Sequence, residues 1–128
     1  MSLAELSREL NSTDPERRLA AAWDIFDVAW RAADAAAEAE GSDEIAAFGA
    51  AIACTAGREM LPLPTHGSPC PLPDTAAETQ CAELLEQVAA TLSADALAVS
   101  DPDLFVAMLK ASDHARDAAA CLRRTREA

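Results

Sequence analysis

Tyrosine is absent from this 128-residue chain, which also has only three Phe and two Trp. With just four Val and three Ile besides, it is poor in the β-branched and aromatic residues that fill a pleated surface, which weighs against a sheet-based fold. Lysine is almost missing too: Lys110 stands alone among ten basic residues, against 22 acidic ones. A net charge of −12, with no basic cluster beyond Arg123, Arg124 and Arg126, repels phosphate, so direct binding of DNA or RNA is not expected. No apolar run reaches the roughly 18 residues of a membrane span. The start, MSLAELSREL, lacks the basic segment, apolar run and cleavage site of a secretory signal, which points to the cytoplasm.

Motifs of site chemistry are missing as well. There is no Gly-rich phosphate loop, no GxSxG elbow and no HExxH. His66-x3-Cys70 with Cys81 downstream offers soft ligands without the paired spacing of a zinc site, and no ExxH of a di-iron bundle occurs. No metal or cofactor is expected. The four cysteines, Cys54, Cys70, Cys81 and Cys121, form no CxxC pair and read as thiols in a reducing compartment, with a Cys70–Cys81 bridge as the alternative.

What the chain has is alanine, 32 residues of it. A core of such small side chains must be made by close helix approach, and the fold class is all-α. The Ala and Arg excess suggests a high-GC bacterial genome. The organising stretch runs from Asp14 to Gly41, where apolar residues at helical spacing form an arc centred on Leu19, Phe26, Trp30 and Ala37, with Trp23 and Ala33 beside it. Asp14 is a good N-cap, Pro15 suits the first helical position, and Gly41 supplies the stop.

Periodicity and caps predict helices over about 3–10, 15–40, 43–60, 75–99 and 102–126, with a Pro-rich connection at 61–74 that holds five of the seven prolines. The architecture read from this is a four-helix bundle with a short extra N-terminal helix and a polyproline-like crossover between its second and third long helices. The N-terminal helix is too short to stand alone and must dock, across a bundle end or on a partner chain. Ser42 is the expected cap of the helix that follows Gly41. The third long helix buries Cys81, Leu84, Leu85, Val88, Leu92 and Val99; the fourth buries Leu104, Phe105, Met108, Ala111, Ala115, Ala119 and Leu122.

Two regions stand out as candidate sites. From Ile45 to Gly57 not one residue is charged, so this helix is expected to be covered on more than one side. The ridge Gly49, Ala53, Gly57, with Ile45, serves either the centre of a monomeric bundle or a homodimer seam. The second region is a ligand pocket under the loop, assembled from Trp23, Asp27, Trp30, Arg58, Glu59 and His66, in which aromatic rings, carboxylates and a possible base meet. Glu59 falls near the expected core face and needs a partner there. His114, Asp117 and Cys121 share one side of the last helix and read as a solvated polar face.

The function these patterns favour is a non-enzymatic interaction protein that self-associates as a homodimer and turns an acidic surface to a basic partner. A small-molecule-binding bundle is the alternative, and an enzyme the third.

Overall fold

The computed structural model describes residues 2–64 and 77–127. Among them the chain is all-helical, with α1 (Leu3–Leu10), α2 (Pro15–Glu38), α3 (Glu44–Met60), α4 (Ala77–Ala96) and α5 (Pro102–Glu127). The helix starts are written locally. The Glu5 amide donates to Ser2 Oγ at 3.1 Å, and the Glu16 amide donates to Asp14 Oδ1 at 3.0 Å with Pro15 as the first helical residue. At α3 the cap is Asp43 rather than Ser42, its Oδ1 accepting from the Ala46 amide at 3.0 Å. A carboxylate in that place also complements the positive helix end. The α2 helix stops at Glu38, short of the expected residue 40, and Gly41 then turns the chain with φ +79°, a left-handed conformation that glycine adopts freely.

The four long helices pack in a ring: α2 lies against α3 and α4, and α5 lies against the same two, while α3 and α4 stand diagonally apart with no Cα pair within 8 Å. Every neighbouring pair is antiparallel. Asp27 on α2 meets Arg58 on α3, the Asp43 amide donates to the Thr125 carbonyl of α5, Glu86 on α4 pairs with Arg123, and Arg18 near the start of α2 reaches Asp95 at the end of α4. The chain therefore leaves α3 at one end of the bundle and enters α4 at the other, diagonally across the ring. Most of the Pro-rich connection, including His66 and Cys70, lies outside the described residues.

The α1 helix does not cap a bundle end. It lies along the flank of α2 and α4, burying Leu6 and Leu10 completely, and Ser7 Oγ donates to Gln87 Oε1 of α4 at 3.0 Å. Its eight residues could not hold a helix in water, so this docking is what keeps it folded.

With α3, α4 and α1 all against it, α2 buries a wider and rotated arc: Ala21, Ala22, Ile25, Phe26, Val28, Ala29, Ala32, Ala33 and Ala36. The expected centre at Leu19, Trp30 and Ala37 lies at its edge, and both Trp23 and Trp30 are half-buried. Alanine faces bring the helices too close for an indole, and the two large rings are left at the rim. Phe26 is the one aromatic side chain wholly inside among the described residues. Gly57 makes room for it, since a Cβ there would lie 2.5 Å from two of the ring carbons. Buried hydroxyls are satisfied: Ser112 Oγ donates to the Ala89 carbonyl at 2.8 Å and lies 2.7 Å from Ser93 Oγ, which fixes α5 on α4.

Candidate functional site

The predicted pocket residues part company. Arg58 on α3 places Nη1 2.6 Å from Asp27 Oδ1, and its guanidinium carbon sits 5.4 Å from the centre of the Trp23 ring. Arg31, one turn along α2, holds the other oxygen of Asp27 at 2.8 Å. Trp23, Asp27 and Arg58 thus form a clasp between α2 and α3, in which one carboxylate satisfies two guanidinium groups and one of those stacks on an indole. Trp30 stands at the same edge, half-buried. Glu59 does not join them. It is exposed, because the buried face of α3 is centred on Ala50, Cys54 and Gly57, and Glu59 follows Ala50 by nine residues, half a turn away. No buried partner is needed there. His66 lies outside the described residues.

A cavity of about 470 Å³ does lie beside the first residues of the Pro-rich segment, lined by Asp14, Glu16, Arg17, Leu19, Ala20, Pro62, Leu63 and Pro64. It belongs to the first turns of α2 and not to the Trp clasp. Its lining joins apolar surface from Leu19, Ala20 and Leu63 to the carboxylates of Asp14 and Glu16 and the guanidinium of Arg17.

On α5 the expected solvated row is half right. Asp117 is exposed, but His114 and Cys121 are half-buried, and Cys121 turns to α3, its Sγ 3.1 Å from where a Cβ on Gly49 would be. Arg124 Nη2 reaches the same sulfur at 3.9 Å. No group of three or more His, Cys, Asp or Glu among the described residues is arranged to hold a metal ion. Burial, with Cys81 nearby as a lesser cause, pushes the Cys54 thiol up to about 12, so it stays protonated and unreactive inside the bundle. Burial also lifts Asp24 on α2, with the neighbouring Asp27 charge adding to it, from 3.8 to about 6.

The uncharged stretch of α3 divides into two faces. Gly49, Ala53 and Gly57, expected as a possible seam between chains, are occupied by the chain itself: Gly49 faces Cys121, Gly57 faces Phe26, and Ala53 is buried. Only Ile45 of that set looks outward. It does so with two residues the ridge of small side chains had hidden from view, Phe48 and Ile52; the three are 82%, 55% and 70% exposed. Their spacing of three and four puts them on one line along the helix. Sequence alone held the clue, because Glu59 falls on that line seven residues after Ile52 and marks it as facing water. Glu44 is exposed at the other end. No helix among the described residues is long and apolar enough to cross a membrane.

No protein-family model, curated protein or solved structure matches this chain.

Proposed function

We propose that this is a non-enzymatic interaction protein, and that the outer face of α3 is its contact surface. The row Ile45, Phe48 and Ile52 carries the reading. In a chain this poor in large apolar residues, three of them stand in water on one helix while the core is filled with alanine. Single exposed apolar residues are ordinary, whereas an aligned row is the pattern of a helix that docks on another protein. Acidic residues at both ends of the row, Glu44 and Glu59, and the charge of −12 favour a basic partner beside any self-association. The test is capture from the organism that encodes the protein, comparing wild type with the Ile45→Ser, Phe48→Ser, Ile52→Ser variant. Partners identified by mass spectrometry should be retained by the wild type and lost by the variant at equal helicity; identical retention by both sinks the reading.

A second reading rests on the cavity between the first turns of α2 and Pro62–Pro64. A small organic cation there would contact Asp14 and Glu16 through charge and Leu19 and Leu63 through apolar surface. Titration by calorimetry with amines of increasing size tests it, and heats indistinguishable from dilution remove it.

A further inference from the structure

The α1 helix is fastened to the bundle in two ways. Its inner side buries Leu6 and Leu10, with Leu3 partly buried beside them. The surface they cover lies between α2 and α4. On α4, buried Leu84 precedes Gln87, the partner of Ser7, by three residues and so shares the side that meets α1. On α2, buried Val28 stands about 200° round the helix from Phe26, which faces α3 through Gly57, and so lies on the opposite flank. The second fastening is polar and runs through one side chain. Arg18 donates from Nη1 to the Ser12 carbonyl in the connection between α1 and α2 at 2.8 Å, and from Nε to Asp95 Oδ2 near the end of α4 at 2.7 Å. This pair is well shielded, with Arg18 and Asp95 side chains only 19% and 21% exposed. Two further ties, Ser7 to Gln87 and Glu9 to Arg17 at 4.0 Å, lie at the surface, where such contacts contribute little.

We propose that α1 is a strap that opens as a unit, hinged at residues 11–14 while the four long helices stay packed, and that Arg18 is the latch that holds it shut. The ring of α2, α3, α5 and α4 closes without α1, so opening breaks none of the contacts among the long helices. Only the docking of α1 itself is lost, which sets its opening well below global unfolding in free energy. Once undocked, eight residues are too few to remain helical, so release and unwinding of α1 are a single step. Opening carries the Ser12 carbonyl away from Arg18, whose guanidinium Asp95 holds in place to receive it. The closed flank is polar, with Glu5 and Arg8 of α1 facing water. The open flank is apolar, because Leu84 and Val28 come to the surface.

Native-state hydrogen exchange of the full chain across low urea concentrations tests both parts. Amides of Leu6 to Leu10 should be protected at least about 100-fold less than those of the buried residues Ala29, Leu92 and Ala115, and with almost no dependence on urea, since a small opening exposes little surface. Arg18→Gln should quicken exchange in α1 about tenfold, the effect of losing a hydrogen bond from a charged donor, and Asp95→Asn, which leaves Arg18 without its orienting partner, by a smaller factor. Phe26→Leu, on the α3 side of α2, should quicken the core amides several-fold and leave α1 unchanged, because Phe26 keeps its packing when the strap is open. Amides of α1 that follow the core in urea dependence and in the Phe26→Leu variant would show that α1 opens only with the whole fold, which overturns the strap. Exchange in α1 that neither Arg18→Gln nor Asp95→Asn alters overturns the latch.

Discussion

The two sides of α3 are built on opposite terms. Inward, the helix has almost no side chains: Gly49, Ala50, Ala53, Cys54 and Gly57 let α2 and α5 close in until a single added carbon at 57 would collide with Phe26. Outward, the same helix carries two Ile and a Phe that stand exposed among the described residues. A helix stabilised only from within has no use for that outer row, and the contrast shows that on its inner side close backbone approach does the work that side-chain bulk does elsewhere in the core. The outer bulk is the contact surface proposed above.

Substitutions on both faces bear on this contrast. Phe26→Ala should have the largest effect, about 3 to 5 kcal/mol in urea unfolding, because the one fully buried ring among the described residues disappears and the alanines around it cannot close the space. A loss under 1 kcal/mol would show that the inner face does not depend on that fit. Next comes the pair of glycines. Gly57→Ala should cost about 1 to 3 kcal/mol by overpacking, despite the better helix propensity of alanine, and combining it with Phe26→Leu should recover part of the loss. Gly49→Ala, where the neighbour is one sulfur at 3.1 Å that has only to give by tenths of an ångström, should stay within about 1 kcal/mol of wild type. Equal effects at the two sites would contradict the assignment of the tight contact to 57.

Asp24→Asn tests the flank of α2. A carboxyl whose native pKa is raised to about 6 is bound to its proton more tightly in the fold than in the unfolded chain. Its contribution to stability is therefore full below about pH 4 and is lost as the pH rises through 6. The Asn variant should melt a few degrees higher than wild type at pH 7.5, a gain on the order of 1 kcal/mol after discounting for solvent screening at a half-exposed site, and the difference should vanish at pH 4. A pH-independent difference would assign the effect to something other than ionisation. Smallest of all, Ile45→Ser and Ile52→Ser should each shift the monomer's stability by no more than about 0.5 kcal/mol in chemical denaturation at dilute concentration. A loss of 2 kcal/mol would mean that the outer row is packed by the chain itself.

Local signals placed most of the helices. Caps at Asp14 and Asp101, with Pro15 and Pro102 as first helical residues, depend on side chains within three positions of the backbone they satisfy, and such signals survive without tertiary information. Burial along α4 and α5 mostly followed from the helical period, with Cys81, Leu85, Val88, Leu92, Met108, Ala111, Ala115 and Leu122 inside, while Leu104 and Phe105 in the first turn of α5 and Val99 beyond the end of α4 are only half-buried. Period alone misjudged α2 and α3. An alanine-rich helix presents small apolar residues all round, so its hydrophobic arc has no sharp edge. The centre of the α2 arc was drawn to its largest residues, Trp30 and Leu19, whereas the structure turns the helix to bring its alanines against α3 and α4. The same ambiguity hid which side of α3 faces water. Of the predicted pocket, the Trp23, Asp27 and Arg58 clasp was legible because the three residues sit at adjacent helix edges; Glu59 was misplaced because its position depends on which face of α3 is buried.

Sequence by itself determined that the chain is helical, where most helices begin, and that the core must be made from alanine and glycine in place of aromatic rings, since these depend on residue type and near neighbours. Only the tertiary structure decided the diagonal ring order, the docking of α1 on the flank, and the division of α3 into a closed face and an open one. Those outcomes turn on which neighbours a helix meets, and small side chains allow close approach from almost any direction, so the pattern along one helix does not choose between them.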